Sequence, residues 1–319
     1  MWLLPSIQNV LTIRSRSDWD RPQVLQYQKA QLQDLLQHLW KESPFYRDYY
    51  SSHGICESDL DEIGVRDLPI INKEILMENF DRISKDPLLR RDAIESWIHS
   101  GAPGIYANRY VILHTSGSSG TLGIFAYDKR AWCRARGVTS RAGSTRVNPF
   151  NRVRLAWYGA THGRFAGVTA CSTLPRSMCR VALCSVLDPL STTIAKLNDF
   201  QPENLFGYAA AIHELALASL AGKLKISPRF VTTSGERQTE EARTAIREAW
   251  GVTPTNAYGT SESLCIGLQL PGHEEITLME DENHIEILDD ANREVAPGEV
   301  GRVIVSALYN RAIPVVRYD

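Results

Sequence analysis

No stretch of this 319-residue sequence approaches the roughly 20 consecutive apolar residues a membrane-spanning helix needs. The apolar start, Met1 to Leu11, is broken by Pro5 and by polar residues. No small-residue cleavage site follows it, so it does not read as a signal peptide. Charge of one sign is scarce too: 35 basic and 37 acidic residues are interleaved and leave a net −2. A nucleic-acid partner would call for a basic face, and the short runs Arg14-Ser15-Arg16 and Leu89-Arg90-Arg91 read as solvated surface instead. The six cysteines form no Cys-x-x-Cys pair and no histidine stands at finger-like spacing, which argues against a zinc framework. In a chain long enough to fill a sizeable core, such cysteines are expected reduced and buried, placing the protein in the cytoplasm. No Gly-x-Ser-x-Gly elbow is present, which removes a serine hydrolase, and no Gly-Lys-Ser/Thr follows a glycine loop, which removes a strict Walker loop.

What the chain does have is a change of pattern along its length. Gln23 to Trp40 places Leu25, Leu32, Leu35, Leu36 and Leu39 on one helical face. Ser43-Pro44 stops that helix and begins another, and Asn72 is a plausible cap for the NKEILMENF segment. This leader, residues 1–108, carries no obvious chemistry. From Arg109 strands and helices alternate. Short strands are expected at Tyr110–Leu113, Ile124–Tyr127, Leu155–Tyr158, Phe230–Thr233 and Val252–Asn256, with a helix Glu240–Trp250 closed by Gly251. That alternation predicts an α/β sheet over 109–270, with binding crevices beyond the strand carboxyl ends. After Pro271-Gly272 the segments HIEILDD, RVIVSAL and IPVVRY predict a β-rich part, 271–319. The chain stops at Asp319 at the end of an expected strand, which reads as a cut.

Two motifs follow expected strands. The first, LHTSGSSGTLG, offers the hydroxyls of Thr115, Ser116, Ser118 and Ser119 beside Gly117 and Gly120. Glycines let backbone N–H groups converge on an anion, and hydroxyls add donors, so the loop can wrap a polyphosphate. The second, NAYGTSE, supplies the Tyr258 ring, a tight turn at Gly259, the hydroxyls of Thr260 and Ser261, and the Glu262 carboxylate. The ring suits adenine stacking, a hydroxyl suits the α-phosphate, and Glu262 suits magnesium, a hard cation that prefers oxygen.

With SPFYRDYY, DLPIINKEIL, HTSGSSGTLG, TTSGE, NAYGTSE and GEVGRVIVSALYNRAIPVVRYD in that order, the chain resembles the adenylate-forming (acyl-CoA synthetase) superfamily, in its phenylacetate–coenzyme A ligase-like branch. The resemblance implies a large N-terminal adenylation domain with a helical leader, mixed sheets flanked by helices, and a β-rich C-terminal subdomain. It also implies that a small C-terminal lid domain is missing here. On this sequence it makes Thr115 to Gly120 the phosphate loop. Ser234, Gly235 and Glu236 would line the adenine pocket, and Asn256, Ala257 and Tyr258 would touch adenine. Ser261 would contact phosphate, Glu262 hold magnesium, and Asp319 bond the ribose hydroxyls. His162 would sit near the substrate carboxylate, with Tyr158 and Tyr208 lining the acyl pocket, and Trp157 and Phe165 adding to a flat wall. The implied reaction activates a carboxylic acid, aryl or arylacetic, with ATP. It yields an acyl-adenylate and then a thioester with coenzyme A, or with a carrier-protein thiol; a degenerate nucleotide-binding module is the non-catalytic alternative. A homodimer is compatible with the resemblance, and no nucleic acid or membrane partner is implied. In one respect the chain departs from it: where many members carry a lysine within the phosphate loop, Leu122 and Gly123 stand.

Overall fold

The computed structural model describes residues 2–115, 117, 120–142, 152–270 and 272–319. Two compact units interleave along the chain: one of Met1–Arg14, Arg136–Thr260 and Leu264–Leu278, the other of Ser15–Ala135, Ser261–Ser263 and Met279–Asp319. The chain thus passes between units within the NAYGTSE motif. It also passes out of the first unit straight after helix Leu3–Arg14, so the units do not follow the sequence blocks 1–108, 109–270 and 271–319.

The second unit is built on helices and a hairpin. Its longest helix, Arg21–Glu42, starts where the Asp20 carboxylate accepts from the Gln23 N–H at 2.9 Å and the Gln23 amide oxygen accepts from the Asp20 N–H. That reciprocal pair satisfies two N–H groups the helix cannot bond internally. Leu32, Leu35, Leu36 and Leu39 are buried, as the 3.6-residue spacing predicts, while Leu25 lies in solvent. Strands β1 (Val111–His114) and β2 (Ile124–Tyr127) pair antiparallel, His114 opposite Ile124, and every residue of both is buried. The sequence between them is the expected phosphate loop.

The first unit is a seven-stranded sheet. Its strands are β3 (Val153–Gly159), β4 (Cys179–Ser185), β5 (Asn204–Tyr208), β6 (Phe230–Ser234), β7 (Thr255–Tyr258), β8 (Gly267–Gln269) and β9 (Ile276–Leu278). The spatial order is β4-β3-β5-β6-β7-β8-β9, with β4 to β7 parallel and β8 and β9 antiparallel at the edge. Helix Ala209–Leu220 buries Ile212 and Leu215 against Leu205 and Val231 of the sheet. Two expectations shift here. The strand expected at Val252–Asn256 begins only at Thr255, because Pro254 has no N–H to give the ladder. Helix Glu240–Trp250 ends as expected on Gly251, whose φ of +68° suits glycine.

Back in the second unit, β10 (Asn283–Leu288) and β11 (Arg302–Ala307) form a second antiparallel pair. IPVVRY does not continue it as a strand. Arg317 sits at φ +49°, outside the extended region, so only Tyr318 bridges, to Val305 and to Ile71. The Arg317 guanidinium braces that conformation against Glu286 at 3.2 Å.

Candidate functional site

In the sheet unit the candidate residues gather at one end. β3, β5, β6 and β7 are consecutive neighbours running the same way, with Tyr158 beside Gly207, Tyr208 beside Ser234, and Ser234 beside Ala257. The chain segments holding His162, Tyr208, Ser234-Gly235-Glu236 and Tyr258 therefore all emerge beyond strand carboxyl ends, where an open α/β sheet places its ligands.

Their side chains differ in what they are free to do. Tyr258 presents a 38% exposed ring at the end of β7. The Asn256 N–H donates to the Gln269 side-chain oxygen at 3.2 Å, tying β7 to β8. At Gly259 an added Cβ would lie 2.2 Å from the Leu264 carbonyl oxygen, so only glycine lets this turn close. Gly235 has φ +78° and its Cα lies against the Tyr208 ring; the half-buried ring in turn packs edge-on to Trp157 at 5.5 Å. Glu236 takes a role not foreseen from sequence: its carboxylate accepts from the Ala210 N–H at 3.1 Å, in the positive first turn of helix Ala209–Leu220. Tyr158 is buried in the core cluster, its hydroxyl 3.4 Å from Glu214, and its pKa is pushed up to about 12 by burial and by that carboxylate. Trp157 is buried as well, filled in by Gly167 and Phe206, so both residues back the strand ends rather than line an opening. His162 is exposed, 5.4 Å edge-on from Phe165.

The second unit brings the two distant motifs together. Ser116, Ser118 and Ser119 lie outside the described residues. The base of their loop is closed by Thr115, whose N–H donates to the Gly123 carbonyl at 2.9 Å and whose hydroxyl accepts from the Gly123 N–H at 3.0 Å. Gly117 and Gly120 are at φ +70° and +88°, with a 2.9 Å bond from the Gly120 N–H to the Gly117 carbonyl. Both strands of the hairpin then grip the Ser261-Glu262 turn. The Ser261 hydroxyl donates to the His114 carbonyl at 3.3 Å, and the Tyr127 hydroxyl reaches the carbonyls of Ser261 and Glu262 at 2.7 and 2.9 Å. Burial, with Tyr309 and Glu262 nearby, holds the Tyr127 phenol protonated far above its ordinary range, so it stays a donor.

Glu262 itself accepts from the Tyr318 hydroxyl at 3.3 Å. Tyr318 is buried beside that carboxylate, and both effects raise its pKa. Next to it the Asp319 carboxylate pairs with Arg302, and its N–H donates to the Ile71 carbonyl at 2.9 Å. Among the described residues no three His, Cys, Asp or Glu side chains converge as a metal cage. A lone, partly exposed carboxylate suits magnesium that arrives with phosphate oxygens and keeps its waters, which is the usual manner of binding of that ion. The donor set at Glu262 therefore fits magnesium carried by a nucleotide. Sequence reading missed Tyr127 and Tyr318; neither stands in a motif that signals its contact, and both act through pairings far along the chain.

Cavity volume would have pointed elsewhere. Cavities of about 360 and 300 Å3 are lined by residues such as Tyr110 and Asp128 in one unit and Phe230 and Thr255 in the other, at the opposite strand ends from the motifs.

No family model matches the sequence. Its curated relatives include phenylacetate–coenzyme A ligase of Pseudomonas putida, 25% identical over 308 residues, and that of Escherichia coli, 24% identical over 314. These matches cover 92% and 94% of this chain but 64% and 66% of the relatives, so the chain spans about two thirds of their length. Among solved structures, 2-hydroxyisobutyryl-CoA ligase, crystallised with 2-HIB-AMP and CoA, superposes with a TM-score of 0.73 at 18% identity. That alignment covers 95% of this chain and 64% of the other, and at this identity it carries the fold alone.

Proposed function

Starting from a chain that belongs to the adenylate-forming acyl-CoA ligases, in the phenylacetate–coenzyme A ligase-like branch, we propose that it forms the ATP- and carboxylate-binding part of an AMP-forming carboxylate–CoA ligase. The observation that carries this reading is the clasp of the Ser261-Glu262 turn by both strands flanking the glycine–serine loop. A hydroxyl and a carboxylate next to the strands that border the loop support a site for a nucleoside triphosphate and its magnesium.

In the proposed reaction the substrate carboxylate attacks the α-phosphorus of ATP and pyrophosphate leaves, giving an acyl-adenylate. Protein groups supply position and charge rather than covalent chemistry. The Tyr258 ring stacks on adenine, and Asp319 accepts from the ribose hydroxyls, exchanging its Arg302 partner in part. The Ser261 hydroxyl exchanges the His114 carbonyl for a phosphate oxygen, a charged and therefore stronger acceptor. Glu262 would hold magnesium, which supplies neutralisation of phosphate charge when bound. His162 orients the substrate carboxylate, and Tyr208, with Phe165 nearby, borders the acyl group. This aromatic border, together with the named relatives, supports an aryl or arylacetic acid. A small closing domain, coenzyme A as acceptor and a cytoplasmic setting belong to the same proposal, supported by what the relatives are.

The test is a screen of carboxylic acids for pyrophosphate release by a protein carrying this chain, followed by detection of the thiol acylated. Release that depends on an aryl acid, with coenzyme A acylated, supports the reading. ATP bound without carboxylate-dependent release would leave a nucleotide-binding module, and an acylated carrier protein would replace the acceptor.

A further inference from the structure

Trp157, on β3, is 1% exposed, and two glycines make room for its indole. A Cβ on Gly159 would lie 2.6 Å from the indole Cζ2, and one on Gly167 would lie 2.1 Å from Cη2. Neither position can carry a side chain while the ring stays where it is. Phe206 and Tyr208 meet the ring edge-on at 5.0 and 5.5 Å. A ring seated this closely can aim a hydrogen bond. Its Nε1–H donates to the Ala160 carbonyl at 3.2 Å, inside the core. Ala160 is itself buried, so that carbonyl cannot readily exchange the donor for water. Packing alone would not call for this bond, since a phenyl ring fills much of the same volume with no N–H to offer.

Ala160 opens the segment 160–165, which leaves the carboxyl end of β3 and carries His162, exposed, with Phe165 5.4 Å from it. Arg164, in the same segment, is half-buried, and burial holds its pKa below the ordinary range. A partly desolvated cation gains more from a carboxylate than a fully hydrated one. The Ala160 backbone also stands near the Tyr208 hydroxyl, where it opposes the rise that burial causes in the pKa of that phenol. Trp157 and Tyr208 thus converge on one residue at the entry to the segment. At its exit the Thr169 N–H donates to the Phe165 carbonyl at 3.0 Å, closing the first turn of helix Ala166–Ser172. Gly167, against which the indole rests, lies in that same turn. The indole therefore holds the segment twice, by its N–H at the entry and by its ring edge at the exit. A loop fixed at both ends gives up less entropy when it meets a ligand.

We propose that Trp157 is a positioning residue for the substrate acid: its N–H, held on the Ala160 carbonyl, sets the course of the segment 160–165 and so the placing of His162 and Phe165. This rests on the carboxylate reading above, and the experiment separates the two. The probe is para-fluorophenylacetate, an aryl acid followed by its own fluorine NMR signal. It is titrated into the full chain as wild type, Trp157→Phe and Trp157→His, with and without AMP, and thermal midpoints are measured alongside. Phenylalanine keeps an aromatic ring but no donor. Histidine loses the benzene half of the indole and keeps a ring N–H at the corresponding position. The expected result is a crossing of two orders. Trp157→Phe weakens the acid about tenfold or more with the smaller fall in midpoint, while Trp157→His stays within about threefold of wild type for the acid with the larger fall. Acid affinity that follows the midpoint, or that neither variant changes, overturns the role of Trp157. Wild type that binds no acid, with or without AMP, sinks the carboxylate reading itself. Should one variant fail to fold, the other decides. Wild-type affinity in Trp157→Phe, or a loss of about tenfold or more in Trp157→His, overturns the proposal by itself.

Discussion

Single side chains decide whether the clasp is a site. Glu262 is the one carboxylate of the NAYGTSE turn, and Tyr318 fixes its direction. Replacing it removes the proposed magnesium donor but no core packing. Glu262→Ala is expected to lower carboxylate-dependent pyrophosphate release at least about tenfold with an unchanged thermal midpoint; unchanged release would remove magnesium binding from this residue. His284, on β10, makes a different point. Burial holds its pKa below the ordinary 6.5, only partly opposed by Glu286, and its Nε2 finds no partner among the described residues. The folded protein therefore resists protonating this ring while the unfolded chain accepts the proton. Stability from this group is intact above about pH 6.5 and declines as the pH falls from there toward the lower folded pKa. Chemical denaturation at pH 7.5 and at pH 5 should show a loss of stability at the lower pH, and His284→Phe should remove part of it. An identical loss in the variant would assign the effect to other groups.

At the scale of elements, the β7–β8 turn is the most exacting piece of backbone in the candidate site. Gly259 closes it against the Leu264 carbonyl, directly after Tyr258 in the chain, and the Ile266 N–H donates back to the Tyr258 carbonyl at 2.8 Å. Gly259→Ala has nowhere to put its methyl group except through backbone. A displaced turn is expected to cost several kcal/mol and to weaken AMP binding by more than about tenfold. Calorimetry on the variant checks this, and an alanine tolerated without loss would mean the turn is mobile. The hairpin bordering the phosphate loop was readable in advance: Ile124–Tyr127 was expected and forms. Helices fared likewise: the leucine spacing over Gln23 to Trp40 falls within helix Arg21–Glu42, and Glu240–Trp250 forms and ends on Gly251. β8 and β9, three residues each, carry too short a pattern to announce themselves, and they exist because β7 offers them an edge.

At the scale of the molecule, the leader is not one layer. Helix Leu3–Arg14 belongs with the sheet unit: Arg14 donates to the Ser140 carbonyl at 3.0 Å, Arg141 to the Ile13 carbonyl at 2.8 Å, and Ile13 is fully buried. Gly137 permits this contact, for a Cβ there would come 3.3 Å from Ile13. Removing residues 1–14 should therefore loosen the segment Arg136–Ala142 and leave the β1–β2 hairpin protected. Amide hydrogen exchange of the shortened chain measures both at once. Faster exchange in the hairpin, with Arg136–Ala142 unchanged, would contradict that assignment.

The sequence by itself determined which chemistry was on offer. Glycine beside hydroxyls, an aromatic ring beside a carboxylate, and their order along the chain are local properties, and they pointed to a nucleotide and to a family. It also determined three of the seven strands of the sheet, β3, β6 and β7, since apolar runs between turn residues have few other uses. Tertiary structure alone decided which of those groups are free to act. Tyr158 and Trp157 went into the core, Glu236 became a helix cap, and Tyr127 and Tyr318 became the donors that hold the turn and its carboxylate. The reason is that a side chain's role depends on what lies across from it. Those partners, such as His114 for Ser261 or Tyr318 for Glu262, stand far away in sequence and meet only when the core has closed.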